Sequence, residues 1–518
     1  MSKPDFLVVG SGLAGLAFAA LAARAGRRVL VLEAHEKAGG YGHTFTVGAH
    51  QFNAQLHYVW NVGEGRTVHR FLSRLGLVDA VPFVRLDVDG YDHMRIPGFS
   101  LDIPSDFDEL ARRLAALFPS HAGALRAFVA EVRATDEELE AIPSSLRELS
   151  LIAHGHGYRR LFRYRNATLG AVFDRFALPL EARALLALQW PDFMLPPSRL
   201  SFFAWVKLFA GYARGAYYPV KHFEHVIDEV VRVLRESGGA LLLQRKVTRF
   251  LLDGDRVSGV EVEHVDDKGV GTGEFERMEA NAVVCNMDPR AAACMIGLDR
   301  FSRAVRAKLD YEYSASSFVA YLSVKDLDLR AHGFGAFNVF HGSNADLDGA
   351  FAAMHDRGDY RAPSFAMSTP TLVSSAEGAA PEGRQILELL TVANHQRFLE
   401  KKLDDPHAYR ESKSAVLSAL LDVVEREYVP NIRDHLAQRT LGSPTTSERY
   451  ARAPQGNSYG SAMTPAQMWP RRLDHDTSIR DFYFCNASAG FAGFAGTIWT
   501  ACRLYARLTG DELLSRAR

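Results

Sequence analysis

The residues that most clearly point to chemistry in this chain of 518 residues are three glycines near its start. Residues 10–15 fit the pattern GxGxxG, directly after the β-rich run Phe6–Val9 and at the start of a helical stretch. In such a turn the first Gly permits a tight bend, the second lets a pyrophosphate approach the backbone, and the third allows close helix–sheet packing. The free N–H groups of the helix N-terminus then face the phosphates. The pattern predicts a dinucleotide site formed by Gly10, Gly12, Leu13, Ala14 and Gly15.

A carboxylate stands at the expected distance after this turn. Glu33 closes a second apolar run, Val29–Leu32, so the three elements have the size of one strand–helix–strand crossover. At the end of that strand a carboxylate can accept hydrogen bonds from a ribose diol. We therefore add Glu33 and its neighbour Ala34 to the predicted cofactor contacts.

A second glycine pair distinguishes between the two common dinucleotides. Gly39 and Gly40 follow soon after Glu33, where an extended FAD would continue past its pyrophosphate, whereas NAD has no particular need of them. An ordinary loop is the alternative explanation of the pair. With His43 and Thr44 beside it, the pair favours FAD.

Composition excludes several other classes. Basic and acidic residues balance to a net charge of −1, so a nucleic-acid partner is not expected. The four cysteines form no CxxC pair, and no metal site is predicted. No run approaches 18 uninterrupted apolar residues, and the N-terminus leads into a strand without a visible signal peptide. We expect a cytoplasmic protein, with peripheral membrane contact left open and the oligomeric state undetermined.

Further blocks resemble one family in order along nearly the whole chain: the retinol saturase and carotenoid isomerase branch of the phytoene desaturase family. These blocks are residues 39–45, 52–58, 218–220, 245–249, 283–289, 443–450, 455–460 and 482–496.

The resemblance implies an α/β fold in which an FAD-binding, Rossmann-like domain of the glutathione-reductase type is interleaved with an α+β substrate domain. The FAD domain would comprise residues 1–105, 215–295 and 435–518, and the substrate domain residues 106–214 and 296–434. Val247 would pair its backbone with the adenine. The closing loop and the last helix would approach the flavin through Asn486, Gly493, Phe494, Ala495 and Gly496.

The sequence also departs from the family pattern. Asn53 and Gln55 replace an acidic residue and a Gly, and Lys221-His222 replaces a Gly pair. Asn486 stands near the usual place of a closing acidic residue. These changes would alter the polarity of the site.

The implied activity is FAD-dependent oxidoreduction at carbon–carbon bonds of a carotenoid, retinoid, isoprenoid or other long apolar substrate, by desaturation, saturation or cis/trans isomerisation. His57 and Tyr58 are the candidate catalytic residues, because they follow the glycine pair closely in a family-like block; a structural role for His57 is the alternative. A flavin amine oxidase and an FAD-binding assembly protein without turnover are the competing functions.

Two other segments have open interpretations. Residues 154–165 interleave basic and aromatic side chains, which suits a membrane-surface patch, a lid or a solvated helix. Residues 200–209 are strongly apolar and suit either a substrate tunnel or a buried helix.

Overall fold

The computed structural model describes residues 3–142, 157–374, 376, 378–468, 470–511 and 513. The strands of these ranges, in chain order, are β1 (Phe6–Val9), β2 (Val29–Leu32), β3 (Thr44–Val47), β4 (His50–Asn53), β5 (Val59–Trp60), β6 (Phe83–Arg85), β7 (Asp92–Ile96), β8 (Phe99–Ile103), β9 (Ala216–Pro219), β10 (Ala240–Leu242), β11 (Arg245–Asp253), β12 (Arg256–Val265), β13 (Gly271–Glu279), β14 (Ala282–Cys285), β15 (Ser316–Lys325), β16 (Asn338–Gly342), β17 (Ser364–Ser368), β18 (Arg384–Ala393), β19 (Leu436–Gly442) and β20 (Phe482–Phe484).

The α-helices of the same ranges are α1 (Leu13–Arg24), α2 (Thr67–Leu75), α3 (Phe107–Leu117), α4 (Ala122–Glu140), α5 (Arg159–Tyr164), α6 (Leu169–Arg175), α7 (Leu180–Ala187), α8 (Phe202–Ala213), α9 (His222–Glu236), α10 (Pro289–Ile296), α11 (Arg303–Leu309), α12 (Leu347–Ala352), α13 (Pro370–Val373), α14 (His395–Asp404), α15 (Pro406–Glu427), α16 (Pro444–Ala451) and α17 (Gly493–Thr509).

A parallel sheet carries the N-terminal glycine turn. Its strand order is β10-β2-β1-β14-β20, so strands from the beginning, middle and end of the chain lie side by side. Helix α1 packs against this sheet between α9 and α17, and its residues from Leu13 to Ala23 are all buried. An all-round apolar helix of this kind belongs in the interior. The predicted α/β, Rossmann-like fold is confirmed.

A second, seven-stranded sheet has the order β19-β15-β18-β17-β16-β7-β8. It is mostly antiparallel, with the one parallel pairing between β7 and β16. This sheet thus includes β7 and β8 (residues 92–103) and β19 (residues 436–442), although both ranges lie at the edges of segments assigned to the FAD domain. The division of the chain into two domains stays a prediction.

Helix α17 begins at Gly493, within the closing glycine loop. Strand β11 is a nine-residue strand that pairs with β12. Together β11, β12 and β13 form an antiparallel sheet of their own.

The two segments with open interpretations are only partly settled. His154 and His156 lie outside the described residues, and α5 covers residues 159–164. Residues 202–206 and 209 lie in α8 and are buried, as expected for a core helix. In the described part of the chain, none of the helices combines the length and apolarity needed to cross a membrane.

Candidate functional site

The two glycine loops lie against each other. The backbone N–H of Gly39 donates to the carbonyl of Ser11 at 3.0 Å, and Gly12 and Gly39 form a parallel bridge. A Cβ on Gly40 would stand 3.0 Å from the Cα of Gly12. A side chain at position 40 would therefore push the second loop off the first.

The first loop also needs its third glycine. A Cβ on Gly15 would lie 2.4 Å from the carbonyl oxygen of Gly10, which is closer than real Cβ contacts. The close packing of α1 on the sheet thus depends on the absent side chain. A Cβ on Gly12 would lie 2.6 Å from the side-chain amide of Asn286, so this glycine also accommodates a side chain of the protein itself.

Asn286 joins the glycine turn to the closing strand. With its amide oriented so that both polar atoms have partners, its oxygen accepts from the N–H of Gly12 at 3.0 Å and its nitrogen donates to the carbonyl of Cys485 at 2.7 Å. The sequence interpretation did not include Asn286 among the site residues. Its place directly after β14, at the carboxyl edge of a parallel sheet, was the available signal.

Glu33 lies at the predicted place beside the turn. Its carboxylate accepts from the N–H and the hydroxyl of Ser11, both at 2.7 Å, and from the N–H of His35 at 2.8 Å. The backbone of Arg245 donates to the carbonyl of Glu33 at 2.7 Å. That bond places the start of β11, the strand that contains Val247, next to the loop that contains Ala34.

His43 and Thr44 follow the second glycine loop into the interior. The Nδ1 atom of His43 lies 2.6 Å from the carbonyl of Gly40, and burial lowers the pKa of its imidazole. The Thr44 hydroxyl is buried and lies 3.3 Å from both the amide oxygen of Asn53 and Nδ1 of His222. These contacts hold the polypeptide that leads from the glycine loops to His57.

The closing loop is held by its own side chains. Asn486 donates to the carbonyl of Met287 at 2.8 Å and accepts from the N–H groups of Ser488 and Ala489, both at 3.0 Å. Both polar atoms of the Asn486 amide therefore bond to backbone groups of the protein, and these bonds fix the conformation of the closing loop. Its assignment as a cofactor contact stays a prediction.

Helix α17 directs its N-terminus toward the same region, since it packs on α1. Neither α1 nor α17 has a side-chain cap at its N-terminus. The first turn of α17 contains the predicted contacts Gly493, Phe494, Ala495 and Gly496; Phe494 and Ala495 are buried. Two neighbouring helix N-termini with free N–H groups provide two sites for negative charge.

A buried guanidinium supports the closing loop. Arg472 donates through Nη2 to the carbonyl of Ala487 at 2.7 Å and through Nε to that of Gly490. Burial lowers the pKa of Arg472 to about 10. The sequence interpretation missed this residue, because nothing near position 472 resembles a motif.

His57 belongs to a buried polar triad. Its Nδ1 atom lies 2.9 Å from Oε2 of Glu388, which also accepts from the Ser368 hydroxyl at 3.2 Å. Glu388 is almost fully buried, and Nε2 of His57 is buried without a partner among the described residues. The carboxylate orients the ring and leaves Nε2 free to meet another molecule. A lone Glu inside the apolar run 386–390 was the sequence signal for this partner.

Tyr58 lies between two carboxyl groups. Its hydroxyl is 3.1 Å from Oδ2 of Asp92 and 2.8 Å from Oδ2 of Asp192. Burial, followed by repulsion from Asp192, raises the pKa of Asp92 to about 8, and burial raises that of Asp192 to about 6. Burial also raises the pKa of Tyr58 well above its ordinary value. The sequence interpretation missed both acids, although Asp92 occupies an inward position in the alternating strand β7.

Asp192 is partly exposed, although burial is the main cause of its raised pKa. Tyr459 is also partly exposed, and burial and then the charge of Asp192 raise its pKa. Tyr41, next to the glycine pair, interacts with Tyr459 and donates to the carbonyl of Asn457 at 2.7 Å. These interactions connect the acids to the second glycine loop.

Comparisons with known proteins agree with this arrangement. Residues 8–75 match the family described as NAD(P)-binding Rossmann-like domain. The chain is 25% identical to all-trans-retinol 13,14-reductase of Macaca fascicularis over 96% of its length and 84% of the relative's. It is 24% identical to a zeta-carotene-forming phytoene desaturase of Myxococcus xanthus, covering 99% and 94%. It is 22% identical to prolycopene isomerase 1 of an Oncidium hybrid cultivar, covering 94% and 80%. These relatives support the resemblance of the chain to the phytoene desaturase, carotenoid isomerase and retinol saturase family.

Solved structures share this fold at low sequence identity. Cyclohexylamine oxidase from Brevibacterium oxydans superposes with a TM-score of 0.61 at 16% identity, covering 99% of both chains. An oxidoreductase from Methanosarcina mazei gives 0.60 at 16%, covering 96% and 99%. At these identities the likeness concerns the fold alone.

The departures from the family pattern lie in the interior, with one exception. Asn53 donates to the Tyr218 hydroxyl and Gln55 to the Ser317 hydroxyl, both at 2.7 Å. His222 is buried against Thr44, whereas Lys221 is exposed. The pair at 221–222 is therefore divided between solvent and interior, and only His222 contributes to the polarity of the site.

Proposed function

We propose that this chain is an FAD-dependent oxidoreductase that acts on carbon–carbon bonds of a carotenoid, retinoid, isoprenoid or other long apolar substrate. Desaturation, saturation and cis/trans isomerisation all fall within the proposal. The observation that carries it is the convergence of two glycine loops and two helix N-termini without side-chain caps, together with a buried imidazole and a pair of acids.

FAD fits the residues present. The two glycine loops pack so closely that a Cβ at position 40 would stand 3.0 Å from the Cα of Gly12, and the N–H groups at the start of α1 suit a pyrophosphate. Glu33 would lie beside the ribose hydroxyls of the adenosine, and Val247 would lie beside the adenine. The N-terminus of α17 would face the flavin end. The remaining predicted contacts, Ala34, His43, Thr44 and Asn486, complete the proposed binding set.

A bound flavin would supply hydride transfer to or from a carbon atom. In our proposal the protein contributes position and proton exchange. Nε2 of His57 is buried and has no partner among the described residues, and Glu388 would stabilise the ring when Nε2 accepts a proton. The buried surroundings exclude water, so a proton at Nε2 is exchanged with the substrate in preference to solvent.

The domain division completes the proposal. Residues 1–105, 215–295 and 435–518 would hold the cofactor, and residues 106–214 and 296–434 would enclose the substrate. Because the substrate is apolar, we propose delivery from a membrane surface by a peripherally bound enzyme.

The first experiment is to purify the protein, record its absorbance and identify any cofactor released on denaturation. We expect a yellow protein that releases FAD, and a colourless preparation that does not take up added FAD would contradict the proposal. The second compares His57→Ala with the wild type, using all-trans-retinol and carotenoids as probes. We expect His57→Ala to keep FAD and lose turnover; an unchanged rate would make His57 a structural residue.

An amine panel separates the proposal from the amine-oxidase alternative. Cyclohexylamine and putrescine are suitable probes, because oxidation would release peroxide. We expect no peroxide from the flavin-loaded protein. Peroxide at a steady rate would replace the carbon–carbon reaction with amine oxidation.

A further inference from the structure

A single hydroxyl hydrogen serves two contacts around Tyr58. The hydroxyl is within hydrogen-bond distance of both Asp92 and Asp192, but it can donate only one bond. If both carboxyls were ionised, one of them would face a lone pair of the Tyr58 oxygen with no hydrogen between the two oxygens. The geometry is satisfied when one acid carries a proton and donates to the Tyr58 oxygen, while Tyr58 donates to the other acid.

The acid pair has no salt-bridge partner in the described part of the chain, although the charge of His57 acts on Asp192. Asp92 is fully buried and is held by neutral donors, Nε2 of Gln189 and Nδ2 of Asn338, the latter at 3.2 Å. Two nearby carboxyls in such surroundings cannot both ionise easily, so the pair retains a proton. The raised pKa values of the two acids agree with this conclusion.

The two acids differ in access. Asp92 has no accessible surface, whereas Asp192 is partly exposed and interacts with the charge of His57. Asp192 is therefore the acid from which a proton can reach a bound molecule, and Asp92 can supply that proton through Tyr58. The ionisable and polar groups around the pair, from every element packed against it, are Tyr58, Tyr91, Gln189, Tyr212, Asn338, Tyr459 and His57.

We propose that Asp192 is the general acid of this site and that Asp92 supplies its proton through the Tyr58 hydroxyl. The inference rests on the proposed function and assigns its proton donor, with His57 as the base of the site.

The step would balance as a reduction with the single proton of the pair. That proton lies on Asp92, the more deeply buried acid, and a concerted shift would move it: Tyr58 gives its hydroxyl proton to Asp192 and takes the proton of Asp92. With reduced flavin bound, one alkene carbon would take a hydride from the cofactor, and its neighbour would take the proton of Asp192. The π bond would break, two C–H bonds would form, the flavin would be oxidised, and both acids would be carboxylates until a proton from solvent reaches Asp192, the more accessible of the two.

The first test does not depend on turnover. Infrared spectra of the purified protein are recorded between pH 5 and pH 9 for the wild type, Asp92→Asn, Asp192→Asn and Tyr91→Phe. Tyr91 is the matched control, because it is buried beside Asp92 and its hydroxyl has no partner among the described residues. We expect the carbonyl band of a protonated carboxyl at pH 7 in the wild type and Tyr91→Phe, and its loss in Asp92→Asn. A wild type without this band, or a band that survives both Asp variants, would overturn the proposal.

The second test follows the proton. Dithionite-reduced, flavin-loaded protein is mixed with all-trans-retinol in D₂O, and the product is analysed by mass spectrometry. We expect one solvent deuterium per product molecule and a rate that falls about 100-fold in Asp192→Asn but less than about twofold in Tyr91→Phe. Deuterium uptake at the wild-type rate in Asp192→Asn would exclude it as the acid. Absence of any retinoid product would count against the proposed function, while the infrared result would still decide whether the acid pair holds a proton.

Discussion

The glycine cradle, residues 10–15 with 39–40, and the acid cluster, Tyr58 with Asp92 and Asp192, are built in opposite ways. The cradle is made of backbone that approaches closely because side chains are absent. The acid cluster is made of polar side chains that lie against each other without a salt bridge among the described residues. In our proposal the first region binds the phosphates of the cofactor, and the second gives a proton to the substrate. The proposed reaction therefore depends on the second region.

The largest effect is expected from filling the cradle. Gly15→Ala would place a Cβ 2.4 Å from the carbonyl oxygen of Gly10, and such overpacking costs about 1–3 kcal/mol. We predict a lower melting temperature and little bound flavin, measured by calorimetry and absorbance. Gly123→Ala is the control, because nothing lies within 4 Å of its added Cβ. A Gly15→Ala protein with stoichiometric FAD would show that the packing of α1 does not control the cofactor site.

The next effect concerns the partner of His57. Glu388→Gln keeps the size of the side chain but removes the charge that stabilises an imidazolium. We predict a fall in turnover of about 100-fold with unchanged flavin content, measured by product formation and absorbance. Ser368→Ala removes the hydroxyl that also donates to Oε2 of Glu388, and it should lower turnover less. Equal turnover in Glu388→Gln and wild type would mean that Glu388 only fills space.

The acid cluster should appear in the pH dependence of stability. Between its usual pKa of 3.8 and the raised value of about 8, Asp92 is protonated in the folded chain and ionised in the unfolded chain. The folded state is therefore favoured at low pH, and its advantage decreases by about 1.4 kcal/mol per unit as the pH rises through this window. We predict that the melting temperature of Asp92→Asn falls less between pH 5 and pH 8 than that of the wild type. Parallel curves in a calorimetric pH series would contradict a proton on Asp92.

The smallest effects are expected on the free energy of unfolding, at the neighbouring residues Lys221 and His222. Lys221→Ala should change the free energy of unfolding by less than about 0.5 kcal/mol, since the side chain is exposed. His222→Ala should cost about 1 kcal/mol or more, because a buried contact to Thr44 is lost. Denaturant unfolding measures both. The reverse order would mean that the departure from the family pattern acts at position 221.

These two regions also differ in how far the sequence could predict them. The cradle is local: residues 10–15 and the carboxylate of Glu33 have fixed spacing, so the fold and most proposed cofactor contacts could be inferred from the amino-acid sequence alone. The acid cluster joins residues 134 positions apart, Tyr58 and Asp192, with no shared motif. Only the pairing of β7 with β16 and the packing of the segment around Asp192 bring them together. His57 and Tyr58 could be named from their block, but not their partners.

The proposed reaction is tested most directly by mass analysis of lipids from cells that produce either the wild-type chain or Gly15→Ala, the variant predicted above to bind little flavin. We predict that the wild type changes an apolar polyene or isoprenoid by two hydrogens, or shifts its isomers at constant mass, and that the variant does neither. Identical lipids from both cells, with the wild type fully loaded with flavin, would contradict this prediction.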